Sequence, residues 1–120
     1  MSQETWRQLA HRECIPCRGG VQPLKGETLL RLHRELGRGW ALIDDHHIEK
    51  AFRFPDFSWA LAFVNAIGAI AGEQNHHPDI HLTWGAVTVT LWTHKIDGLT
   101  ESDFILAAKV EEAYPRHAVQ

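Results

Sequence analysis

The chain has 120 residues, 44% of them apolar and 22% charged, with a formal charge of −3 when its nine histidines are neutral. Those values fit one globular domain with a real core and exclude a disordered chain. No Lys/Arg cluster is dense enough to grip a phosphate backbone, no apolar run approaches the roughly 18 residues that span a bilayer, and Met1-Ser2-Gln3-Glu4 is unlike a secretory signal. The expectation is a cytoplasmic protein with neither nucleic acid nor membrane as partner.

Residues 1–24 read as an N-terminal arm and 25–120 as the single domain. Within the arm, Pro16, Gly19, Gly20 and Pro23 break up any regular element between Cys14 and Leu24. Cys14 and Cys17 are spaced as C-x-x-C, but no second pair completes a zinc ribbon, and no βαβ context supports a thioredoxin-like redox motif. They read as two ordinary thiols.

A helix is expected over about 26–36, with Leu29, Leu32, His33 and Leu36 on one face and Gly37 at its C′ position. Two strands follow, Trp40–Ile43 and Ile48–Phe54, joined as a hairpin by Asp44-Asp45-His46-His47. Asp56 caps a long helix running to about Gln74. Its apolar positions form two stripes: Phe57, Ala60, Leu61, Val64, Ile67 and Ala71, then Trp59, Phe63, Ala66 and Ile70. With no charge between Asp56 and Glu73, this helix should be buried nearly all round, partly by another subunit.

Two further strands, Ile80–Trp84 and Ala86–His94, meet at a tight turn near Gly85. Val87, Val89, Leu91 and Thr93 face one way; Thr88, Thr90, Trp92 and His94 face the other. The last helix starts at Thr100-Glu101-Ser102-Asp103, a capping box with Asp in the Glu position and a Leu99/Phe104 staple, and Pro115 should end it. The order helix, strand, strand, helix, strand, strand, helix specifies an α+β fold: a four-stranded antiparallel sheet with helices on one face.

The chemistry concentrates in Asn75-His76-His77-Pro78 and His94. Three imidazoles around one small cavity suit proton transfer or metal binding, because imidazole titrates near neutral pH. His76 and His77 follow a helix end, where the dipole favours imidazolium, and two adjacent rings should titrate as a coupled pair. Pro78 stops the helix and fixes the exit of the chain. Three plainer roles compete: a histidine after a helix end can simply cap carbonyls, Asp103 can simply be the N3 residue of its capping box, and Trp84 and Trp92 can simply be sheet aromatics. A metal reading rests on His76, His77, Asp79 and His81; residues 77, 79 and 81 have strand spacing, but there is no H-E-x-x-H signature. His11, His33, His46, His47 and His117 are assigned no chemistry.

Glu73-Gln74-Asn75-His76-His77-Pro78-Asp79-Ile80, followed by Trp84 six residues after Pro78, His94 ten further on and Asp103 nine beyond that, resembles the signature of the pterin-4a-carbinolamine dehydratases. The stretch Ile48–Gln74 and the run Thr93-His94 to Gly98-Leu99-Thr100-Glu101-Ser102-Asp103 resemble that family too, so the likeness spans about residues 24–113. The resemblance implies the four-stranded sheet with helices on one face, and dehydration of 4a-hydroxytetrahydrobiopterin to quinonoid dihydropterin, the recycling step after aromatic amino acid hydroxylases, with no metal and no bound cofactor. It implies His76, His77 and His94 as catalytic histidines, the first and last as general acids on the 4a-hydroxyl and His77 orienting the pterin. It places Trp84, Asp103 and Pro78 with His77 at the substrate, and it implies a homodimer or homotetramer. Animal members also serve as dimerisation cofactors of a transcription factor, so a non-catalytic binding role is the alternative. One departure stands out: the family usually carries a charged residue four before the first histidine, and here that position is Gly72, with Glu73 next.

Overall fold

A computed structural model describes residues 5–15 and 21–118, with side chains described up to Tyr114. The elements run α1 (Thr5–Ala10), α2 (Gly26–Leu36), β1 (Ala41–Ile43), β2 (His47–Arg53), α3 (Phe57–Gln74), β3 (Asp79–Leu82), β4 (Ala86–Leu91), a 3-10 turn (His94–Ile96) and α4 (Glu101–Ala118). The four strands form one antiparallel sheet in the order β1-β2-β4-β3. This is the expected α+β architecture.

The strand pattern follows from alternation. Ile48 and Phe52 of β2 and Val87, Val89 and Leu91 of β4 are fully buried beneath the helices, while the intervening residues line the other, more open face. The β1–β2 hairpin closes through a hydrogen bond from the His46 N–H to the Ile43 carbonyl (2.9 Å). Asp44 and Asp45 both take left-handed backbone there (φ 53° and 55°), which aspartate tolerates and a primed turn needs.

Three features of the helices bear on the expectation. First, the segment before residue 25 is more than an arm. Trp6, Leu9 and Ala10 of α1 are buried in the main core and pack against α4. Six residues carry too weak a periodicity to announce a helix. Second, the chain by itself covers only one side of α3, in keeping with a helix whose remaining cover is expected from another subunit. Ala60, Phe63, Ile67 and Ala71 are buried, but Phe57 and Leu61 from the same expected stripe are 49% and 40% exposed. The helix enclosed nearly all round is α4, which packs against α1, α2 and α3 and buries every residue from Ser102 to Ala108. Its charges are tolerated because they are paired. Glu111 lies against Lys50 and Arg38, and it accepts from the Trp40 indole (2.9 Å). Third, α4 continues through Pro115 to Ala118, so the proline does not stop the helix.

Candidate active site

The site forms where α3 ends. Asn75 takes the left-handed conformation (φ 54°) that terminates the helix, and the His76 N–H bonds back to the Ala71 carbonyl (3.2 Å). This turn sends His76 inward and leaves His77 exposed at the surface. The chain then enters β3 through Pro78.

A cavity of about 370 Å³ opens beside this turn. Residues 75–79 form one wall, and Trp92, Thr93, His94 and Lys95 form the other. His76, His77 and His94 therefore share one cavity, with Pro78 at its edge. His94 is not on a strand as expected. β4 stops at Leu91, Thr93 makes an isolated bridge with Gly98, and His94 begins the 3-10 turn. The bridge lets the chain reverse within a few residues, so His94 projects from a turn rather than from the sheet.

His76 is held from behind. Its Nε2 lies 2.6 Å from Oδ1 of Asp103, whose side chain is wholly buried. A carboxylate only accepts, so Nε2 carries the proton and Nδ1 is the ring nitrogen left free of the pair. The other Asp103 oxygen accepts from the Thr93 hydroxyl (2.8 Å) and the Thr100 backbone N–H (2.9 Å). The Thr93 oxygen lies 3.0 Å from the Thr100 hydroxyl. Three donors satisfy this carboxylate where an unpaired one would be prohibitive. The capping-box reading of Asp103 holds, since it accepts from the Thr100 N–H at the start of α4, and the same carboxylate also bonds His76, a contact the sequence did not announce. Although close in sequence to His94, it bonds His76.

Trp84 does not join the cavity. It sits on the β3–β4 turn with 74% of its surface exposed, because the hairpin carries it away from the helix end. Trp92 lines the cavity instead, its ring 4.3 Å from that of His94. The alternation on β4 had already placed Trp92 and His94 on one face, which is the signal that could have ranked it above Trp84. Lys95 and Thr93 had no such signal. Gly72 and Glu73 are exposed and line neither wall, so the missing charged residue is not replaced by its neighbour. Asp79 lines the cavity and His81 does not; among the described residues no three His, Cys, Asp or Glu side chains converge as a metal-binding group. Cys14 is a free thiol donating weakly to the Ser102 carbonyl (3.5 Å), and burial pushes it up to about 11. Cys17 lies outside the described residues.

A buried carboxylate–imidazole pair and two further imidazoles thus gather around one small cavity on a sheet-and-helix scaffold. Comparison with known proteins gives this arrangement its family. The family model described as "Pterin 4 alpha carbinolamine dehydratase" matches residues 22–113, and the chain belongs to this family. A Rubrobacter xylanophilus protein is 60% identical over 104 residues, covering 87% of this chain and 96% of its own. An Alkaliphilus metalliredigens protein is 49% identical over 104 residues, covering 87% and 94%. Both carry the name "Putative pterin-4-alpha-carbinolamine dehydratase". Among solved structures, a transcriptional coactivator/pterin dehydratase from Brucella melitensis superposes with a TM-score of 0.72 at 32% identity, over 78% of this chain and 99% of that one. A pterin dehydratase-like RuBisCO assembly factor of the alpha-carboxysome shares the fold (TM-score 0.55, 24% identity, 64% of this chain and 90% of that one).

Proposed function

We propose that the chain dehydrates a pterin-4a-carbinolamine, 4a-hydroxytetrahydrobiopterin in the recycling of tetrahydrobiopterin, to the quinonoid dihydropterin plus water. The observation that carries this reading is the convergence of His76, His77 and His94 on one cavity, with Asp103 behind His76. The reaction needs little else. A proton goes to the 4a-hydroxyl, the C4a–O bond breaks and water leaves. The N5 lone pair forms the C4a=N5 bond, and a proton is lost from the ring. One proton in and one out is work for groups that titrate near neutrality, worth about 10²–10⁴-fold in rate.

His76 and His94 act as the general acids at the 4a-hydroxyl, His76 as the imidazolium, which gives up its Nδ1 proton while Nε2–H stays on Asp103, and His77 orients the pterin. Asp103 fixes the ring orientation and tautomer of His76. Trp92 takes the place first given to Trp84, offering an aromatic edge to a flat bicycle. With synthetic 4a-hydroxytetrahydrobiopterin, His76→Ala and His94→Ala should each lower kcat by about 10²-fold or more. Turnover equal to the parent in both variants overturns the assignment.

A second reading, a non-catalytic dimerisation or transcription cofactor, draws on the exposed apolar positions of α3. The buried His76–Asp103 pair favours the enzyme, since a pure adaptor gains nothing from it. Wild-type protein without activity above the spontaneous rate would favour the adaptor.

A further inference from the structure

The second histidine pair, His46-His47, lies on the β1–β2 hairpin, outside the cavity and outside the chemistry above. We propose that His46 is a positioning residue of the site, holding His94 in the cavity wall through Trp92 and Asp97. The inference rests on the dehydratase reading for its effect on rate, and on geometry alone for its effect on His94.

His94 needs such support. Among the described residues its ring has no hydrogen-bond partner, and its contact is the Trp92 ring at 4.3 Å, tilted by 41°. Trp92 in turn meets His46 at 5.5 Å and His47 at 6.0 Å between ring centroids. The hairpin histidines thus back the same aromatic row that ends at His94.

His46 is itself fixed at both ring nitrogens. Its Nε2 lies 2.8 Å from Oδ1 of Asp97, and its Nδ1 lies 3.0 Å from Nδ1 of His47. The carboxylate can only accept, so Nε2 of His46 carries a proton. In the neutral ring Nδ1 then accepts from the His47 Nδ1–H, and both rings have one defined tautomer. Asp97 is the residue that closes the His94–Ile96 turn, left-handed at φ 54° with its N–H on the His94 carbonyl (3.2 Å). His46 therefore grips the chain on both sides of His94: at Trp92 before the turn and at Asp97 after it.

These contacts contribute little to folding. The His46 and Asp97 side chains are 33% and 87% exposed, and a pair so placed adds little to stability. That separates positioning from stability and makes the variant informative. His46→Ala should fold like the parent and melt within a few degrees of it. Its imidazole NMR spectrum should show the His94 ring signals, assigned with His94→Gln, shifted or broadened. On synthetic 4a-hydroxytetrahydrobiopterin, kcat should fall on the order of tenfold with KM little changed, well short of the ~10²-fold that an ångström of misplacement can cost. His46→Gln, whose amide can still donate to Asp97, should recover part of both effects.

Unaltered His94 signals in His46→Ala overturn the inference whatever the kinetics. Altered signals with unchanged kcat overturn its catalytic part. If the parent protein does not turn over the pterin, the dehydratase reading fails, and the NMR comparison alone decides whether His46 positions His94.

Discussion

At the scale of single residues, Asp103 carries the most consequence, because one carboxylate serves a helix cap and a site histidine. Replacing it with asparagine keeps the shape and changes the donors. An amide oxygen can still accept from Thr93 and from the Thr100 N–H, but its nitrogen then faces Nε2 of His76. Two donors cannot share a 2.6 Å contact, so His76 must adopt the opposite tautomer or move. Asp103→Asn should therefore fold, shift the His76 ring nitrogen signals in NMR, and lower kcat by roughly 10²-fold. Cys14 makes a separate, thermodynamic prediction. Its thiol rises from 9.0 to about 11, chiefly through burial, with Lys109 pulling the other way. Between those values the unfolded chain has released the proton and the native chain keeps it, so unfolding is favoured increasingly as pH rises across that window. Other groups titrating there are common to a Cys14→Ala variant. The difference between the two stability curves, from urea melts at pH 8 to 11, should thus slope against the parent only in that interval.

At the scale of elements, most of the scaffold was legible because each signal is local. Period-two alternation gives β2 and β4, Asp56 gives the start of α3 through its bond from the Trp59 N–H (3.0 Å), and Gly37 gives the end of α2. The histidines before Pro78 were legible for the same reason. What escaped depends on contacts distant in sequence. The burial of α1 depends on α4, and the place of Trp92 over Trp84 depends on where β4 stops. The near-complete enclosure of α4 within the chain, which its charged residues do not announce, depends on the packing of α1, α2 and α3 around it. The His94 turn shows how such distant contacts act. Leu24 donates to the Leu99 carbonyl (2.8 Å), and Pro23 packs so tightly on Gly98 that an added Cβ would lie 2.6 Å from the proline Cβ. A proline ring cannot swing aside. Gly98→Ala should cost about 1–3 kcal/mol, as overpacking does, and should loosen the Thr93–Gly98 bridge that shapes the turn. Gly72→Ala is the matching control: exposed on α3, with nothing within 4 Å of an added Cβ, it should gain up to about 1 kcal/mol. Thermal melts of the two variants should move in opposite directions.

At the scale of the whole molecule, the outer face of α3 sets the expectation of self-association. Phe57, Leu61 and Gly68 are exposed and, spaced by four and seven residues, lie along one flank of the helix beside the buried stripe. Water-facing helices ordinarily carry charge there, and between Phe57 and Gly72 this one carries none. A second copy covering this face accounts for the pattern, and sedimentation should give a dimer or tetramer of the 13.7 kDa chain. Leu61→Glu should shift the population towards monomer. Gly68→Ala has a sign that depends on the interface: within one chain the new methyl meets nothing within 4 Å and favours the helix, whereas a partner helix packed over that glycine would be pushed away. Weaker association with an unchanged or higher monomer stability is the expected result, and a parent that sediments as a monomer overturns the assignment of this face. Both cavity walls come from one chain and lie beyond the C-terminal end of α3. A Leu61→Glu monomer should therefore keep its turnover per chain; loss of turnover in a well-folded monomer would mean that a partner subunit completes the site.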